Sequence, residues 1–163
     1  RTTQRGAIIM ATSTLLQYMQ PTDGDGVAIV GDPSNRRQVE RFIATTAVAE
    51  GDAVSFDTSK TADSQKTLYV VPADTGAPTS KCFVGVALEA AAAGEELNVV
   101  IAGLAIANLA SGGATAGVTL MISTSGDFVD YADSSVLQLC AITCEARSAT
   151  TAGQASVIVF KQF

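Results

Sequence analysis

The chain has 163 residues, enough for one domain with a sizeable core. It carries 47% apolar but only 6% aromatic residues and no Trp, so its core must come mainly from Val, Ile, Leu and Ala, a composition suited to thin sheets joined by turns. It has no His, which argues against acyl transfer and most metal-dependent hydrolysis, and its net charge of −6 makes nucleic acid a poor partner.

Residues 1–26 show no sustained alternation and end in P-T-D-G-D-G, a turn-rich boundary. They are expected to form an extended arm, with a short helical turn near residues 13–19, ahead of a β-rich domain over 27–163. The opening apolar patch is broken by Thr12, Ser13 and Thr14, so it reads as a structural arm rather than a leader. No apolar run reaches the roughly 18 residues of a membrane span, and no membrane partner is expected. Residues 27–30 (V-A-I-V) predict a strand, 31–35 (G-D-P-S-N) a turn and 36–44 a second strand, the two pairing as a hairpin.

After the turn at Glu50-Gly51-Asp52, Val54 and Phe56 alternate with Ala53, Ser55 and Asp57, the pattern of a half-buried strand. A polar loop is expected over 58–66, a strand over 67–71 that stops at Pro72, and a loop over 73–80. Strands follow at 82–88, 96–102 and 104–109, the last two separated by Gly103. The stretch L-E-A-A-A-A-G-E-E-L (88–97) has helix propensity, but Gly94 interrupts it, so a connection with at most one helical turn is expected. A glycine-rich loop at 111–117 leads to strands at 118–123 and 127–131, paired across a T-S-G turn. Residues 136–146 and 156–161 close the domain. Short strands at this spacing predict an all-β fold, a single β-sandwich or β-barrel-like domain.

Motifs for chemistry are sparse. Gly112-Gly113-Ala114-Thr115-Ala116-Gly117 is not followed by Gly-Lys-Ser/Thr and reads as a turn rather than a phosphate cradle. Asp23-Gly24-Asp25-Gly26 imitates a calcium loop without its later carboxylate. Glu89, Glu95 and Glu96 lack the aromatic platform of a glycosidase and read as turn acids facing water. Cys82, Cys140 and Cys144 are an odd number; on one strand, Cys140 and Cys144 would lie roughly 13 Å apart, too far for a disulfide. All three are expected as buried, apolar-like thiols of a protein made in a reducing cytoplasm. No catalytic residue, cofactor or metal is expected.

The order of these pieces resembles the capsid cement, or head decoration, proteins of tailed phages. The residues that carry the resemblance are Gly51-Asp52-Ala53-Val54, then Gly85-Val86-Ala87 with Ala91-Ala92-Ala93-Gly94-Glu95, Leu97 and Val99. Gly103-Leu104-Ala105, Gly117-Val118 and Gly126-Asp127 follow. It spans residues 45–131, and the first 40 residues depart from a minimal member. It implies a non-enzymatic β-rich subunit on the outer surface of an icosahedral head. Such a subunit would bind the major capsid protein and associate as a homotrimer.

Charge is uneven. Residues 1–41 hold five of the ten cations against four of the sixteen acids, leaving five cations and twelve acids for the rest. The expected contacts with the capsid or with other copies are therefore Arg1, Arg5, Arg36, Arg37 and Arg41, with the apolar Met10, Leu15, Leu16, Tyr18 and Met19 of the arm. The rival expectation is a surface or tail-associated β-sandwich that binds glycan, weakened by the shortage of Tyr and Trp.

Overall fold

The computed structural model describes residues 37–74, 82–110, 114–123, 125–130, 139–147 and 152–161. The expected arm, the strand at 27–30, the 26/27 boundary and the Asp23–Gly26 motif lie outside these residues. So do Arg1, Arg5, Met10, Leu15, Leu16, Tyr18, Met19 and Arg36.

Nine strands and one helical turn follow in chain order among the described residues: β1 (Arg37–Ala44), β2 (Ala53–Phe56), α1 (Asp63–Lys66), β3 (Tyr69–Pro72), β4 (Phe83–Ala87), β5 (Glu96–Leu109), β6 (Thr119–Ile122), β7 (Phe128–Asp130), β8 (Ala141–Thr143) and β9 (Gly153–Val159). They make one mixed sheet in the order β1-β3-β2-β4-β5-β7-β6-β8-β9, and both β1 and β9 pair with β5 as well. The hydrogen bonding therefore closes into two rings of five strands that share β5. Most pairs are antiparallel, but each ring is completed by one short parallel contact: Ile43 and Ala44 beside Tyr69 and Val70, and Leu109 beside Phe128.

Each ring has its own core. The first holds Phe42, Val54, Val70, Val84, Leu97, Val99 and Ile101, with Phe56 edge-on to Phe42 at 6.0 Å. The second holds Leu109, Leu120, Ile122, Phe128, Val157 and Val159, together with Phe83, Val86 and Val100 from the outward side of the first ring. Phe83 and Phe128 meet edge to face at 5.9 Å, tying the two rings together. Burying each such side chain is worth about 1.5–3 kcal/mol.

Two bulges make this possible. Val39 pairs with Val100 and Gln38 with Ala102, so Ile101 is an extra residue on β5. An inserted residue shifts the two-residue alternation by one. Leu97, Val99 and Ile101 consequently face the first core, while Ala105, Ala107 and Leu109 face the second. On β4, Val54 pairs with Gly85 and Ser55 with Phe83, skipping Val84. Phe83 and Val86 then serve the second core while Val84 and Ala87 serve the first. A Cβ on Gly85 would lie 2.1 Å from the Val100 carbonyl oxygen, so the strand can approach β5 this closely only without a side chain.

Several expectations are corrected. The strands at 96–102 and 104–109 are one continuous strand, because Gly103 pairs with both Arg37 of β1 and Val159 of β9. β2 is buried on both faces, not half-buried: Val54 enters one core, Ala53 the other, and Ser55 is fully covered. The loop at 58–66 contains α1, closed by a 2.7 Å Lys66–Asp63 ion pair. The 88–97 stretch is a connection, as expected, without a helical turn, and Ala91 bridges Val48. β3 ends at Pro72 as expected, with Pro72 itself opposite Val54, but it begins at Tyr69 rather than at residue 67. The hairpin of β6 and β7 forms as expected, with Met121 opposite Val129. Cys140 is buried, but Cys82 is only half-buried and Cys144 is exposed, because β8 ends at Thr143 and Cys144 falls in the bend beyond it.

Candidate functional site

The motif residues converge on a structural node at Gly51–Asp52. Gly51 sits at φ +86°, a left-handed conformation that disfavours other residues, and a Cβ there would press on the Asn108 amide at 2.8 Å. Its N–H donates to Ala87 of β4 and its carbonyl accepts from the Asn108 N–H of β5. The buried Asp52 carboxylate accepts from the Ala49 N–H at 2.8 Å and from Asn108 Nδ2 at 2.9 Å. Asn108 Nδ2 also donates to the Glu50 carbonyl at 2.8 Å. The Gly126 turn lies against Asp52: its carbonyl accepts from the Ala53 N–H, and its N–H donates to Ala73. The Asp52 carboxylate and the Asn108 amide thus tie the turn before β2 to β5, while backbone bonds of Gly51 and Ala53 join that turn to β4 and to the β6–β7 turn. Sequence reading identified Gly51, Asp52 and Gly126, but missed Asn108, whose only signal was a polar residue near the end of an apolar strand.

Asp127, beside this node, has its carboxyl pKa raised by burial and by the nearby Asp52 charge. Burial likewise raises Asp130, one of whose oxygens has no hydrogen-bond partner among the described residues.

The acids expected to face water are exposed, and each also bonds the chain at the surface. Glu89 accepts from the Asn98 N–H and Nδ2, both at 2.9 Å. Glu95 caps the Ala92 N–H at 2.8 Å, while its backbone and that of Gly94 tie the turn to Ala44 at the end of β1. Glu96 pairs with Arg41 at 3.1 Å, both well exposed, a contact of little energetic weight. Of the expected contact residues, Arg41 is therefore ion-paired on the surface. Arg37 is half-buried and lines a shallow depression with Glu50, Ala87, Leu88 and Ile106.

A second depression, about 290 Å³, is lined by Phe56, Asp57, Thr58, Lys60, Lys66 and Cys82. Its acid is committed to structure. Asp57 accepts from Thr45 Oγ1 at 2.8 Å and from the Ser59 N–H and hydroxyl at 2.9 and 2.6 Å, and lies 3.6 Å from Lys60. Burial pushes its carboxyl pKa up, but the Ser59 and Thr45 bonds and the Lys60 charge together take it below the ordinary value. Lys60 in turn rests over the Tyr69 ring, 4.6 Å from its centre. Such a carboxylate holds a loop; it is too acidic and too fully bonded to act as a base near neutral pH. Among the described residues, no group of three or more Asp, Glu, Cys or His side chains is placed to hold a metal, and no helix is long and apolar enough to cross a membrane.

No family model matches the chain, and no curated protein matches it. Solved structures do. The chain is similar to the N base of the head fiber gp8.5 of bacteriophage phi29, with a TM-score of 0.52 at 15% identity over 76% of this chain and 93% of that one. At that identity the likeness is one of fold: nearly the whole of that N base follows the path taken by this chain.

Proposed function

We propose that the chain is a structural virion protein without enzymatic activity, a cement or decoration subunit. It sits on the outer surface of an icosahedral phage head, contacts the major capsid protein and associates as a homotrimer. The observation that carries this reading is the fold shared with the N base of a phage head fiber, over 93% of that chain. The chemistry agrees with it. The acids at Asp52, Asp57, Glu89 and Glu95 are occupied with holding turns. A repeated subunit needs many modest contacts, multiplied by symmetry, rather than one reactive centre. A net charge of −6 suits a position away from packaged DNA.

In this reading Arg1, Arg5, Arg36 and Arg37, with Met10, Leu15, Leu16, Tyr18 and Met19, supply contacts to the shell or to sister subunits. Arg41 contributes once its exposed pairing with Glu96 is exchanged. The test mixes the full chain with undecorated heads of the phage that encodes it and sediments the particles. Saturable binding and a higher temperature of DNA release are expected. Absence of the chain from the sedimented heads would refute the proposal.

A further inference from the structure

The outward side of the second ring bears an apolar band. Residues directly opposite in a ladder share a face, so Leu104, Ile158 and Ile142 line up across β5, β9 and β8. Ile106, two residues beyond Leu104, stands on the same side. Met121 and Val129 extend the band onto β6 and β7, opposite each other and out of phase with the buried Leu120, Ile122 and Phe128. Ile106 is 57% exposed and Ile158 45%; the other four are half-buried. The reverse side of these strands is the second core, so the band is a true outer face and not a misplaced interior.

The band holds no charged residue, in a chain with sixteen acids and ten cations. The outward side of the first ring differs, carrying the Arg41–Glu96 pair. Both signs of charge return at one edge of the band, where Arg37 and Glu50 flank Ile106 in a depression of about 250 Å³. Neither makes an ion pair within the described residues.

We propose that this face is where one copy of the chain meets another, covering Ile106 and Ile158 and setting Arg37 of one copy against Glu50 of the next. Acidic bodies repel when they approach at random. An uncharged band, with Arg37 and Glu50 at one edge and Glu145 at another, bonded to the Ser156 N–H, is a surface on which like copies approach with little of that repulsion, and rotation of one copy brings Arg37 to the other copy's Glu50. Contiguous exposed apolar residues with a polar edge are the usual mark of a protein contact. The inference rests on the trimer reading above and gives it a surface.

Light scattering on the full chain and four variants tests it. The native chain should show a multiple of the 16.6 kDa single-chain mass. Ile106→Glu with Ile158→Glu should fall to the single-chain mass with an unchanged circular dichroism spectrum, whereas Leu68→Glu, at an exposed apolar residue outside the band, should keep the native mass. Arg37→Glu should weaken assembly at least tenfold, and adding Glu50→Arg should restore it. That charge exchange decides the matter even if the double isoleucine variant fails to fold. A native chain of single-chain mass, assembly that survives both glutamates, or an Arg37→Glu chain that assembles normally would each overturn the proposal. Head binding by a single-chain species, lost on Ile106→Glu and Ile158→Glu, would overturn it by assigning the band to the capsid protein. Assembly that follows this pattern without head binding would instead refute the capsid role and leave the contact standing.

Discussion

Asn108 is the most consequential side chain that the sequence alone did not mark. Its Nδ2 bonds the Glu50 carbonyl at 2.8 Å and the buried Asp52 carboxylate at 2.9 Å. Asn108→Ala removes both and leaves the carboxylate with the Ala49 N–H as its remaining partner among these bonds. A bond to a charged acceptor is worth about 1.5–3 kcal/mol and one to a neutral acceptor about 0.5–1.5. Since Asn108 is half-buried, water recovers part of that, and the expected loss is about 2–3 kcal/mol. At roughly 2–4 °C per kcal/mol for a chain of this length, the melting temperature should fall by about 4–12 °C. Asn108→Asp is the sharper probe. It keeps the shape but sets a second carboxylate against Asp52, so it should be worse than Ala at pH 7 and recover as the pair takes up a proton in acid. Urea unfolding followed by circular dichroism at pH 7 and pH 4 measures both. If Asn108→Ala stays within about 0.5 kcal/mol of the native chain, or Asn108→Asp shows no recovery in acid, the node does not hold the rings as argued.

Gly85→Ala should cost about 3 kcal/mol or more and sharply cut soluble yield, because its Cβ meets backbone rather than a movable side chain; the check is denaturant unfolding of whatever folds. The acid limb of stability should have two opposed contributions. Asp57, lowered in the folded state, stabilises above its unfolded value near 3.8, and that contribution is lost as pH falls through its lower folded pKa, so Asp57→Asn should flatten the acid loss. Asp127, raised in the folded state, favours the fold below 3.8 and loses that contribution as pH rises through its folded pKa. Asp127→Asn should therefore stabilise at neutral pH, with the gain vanishing in acid, as melting curves across pH 3–7 would show. Burial pushes the Cys140 thiol up to about 12, whereas Cys144 is exposed. A thiol reagent should modify Cys144 rapidly and Cys140 only on unfolding, read by peptide mass.

Much of the strand layout was legible because the turns announce themselves. Gly51-Asp52, Gly94-Glu95 and Ser125-Gly126 all mark reversals, and β1, β2, β4, β6 and β7 lie within or beside the stretches read as strands between such turns. What escaped was long-range. The extra residue at Ile101 leaves no local signature, yet it decides which core Ala105 and Leu109 enter. The burial of β2 on both faces depends on a second ring packing behind the first, which no window around Ala53 reveals. Gly103 looked like a break because glycine usually is one; here a strand runs through it because β1 and β9 both bind it. Asp52 was visible as part of a motif, but its partner stands 56 residues away in the chain. The outward apolar band was equally hidden, since Ile106 and Ile158 read like any other core residue until the ladders fixed which way they point.

β5 belongs to both closed ladders, so neither half of the molecule owns its own perimeter. Prising the strand out of one half strips a side from the other, and partial opening releases little of the backbone while giving up packing in both halves. Denaturation should therefore be an all-or-none event, with the amides of residues 97–107 among the last to exchange with solvent. A body built in this way yields like a riveted plate: it holds until the shared rivet fails, and then both halves give way together.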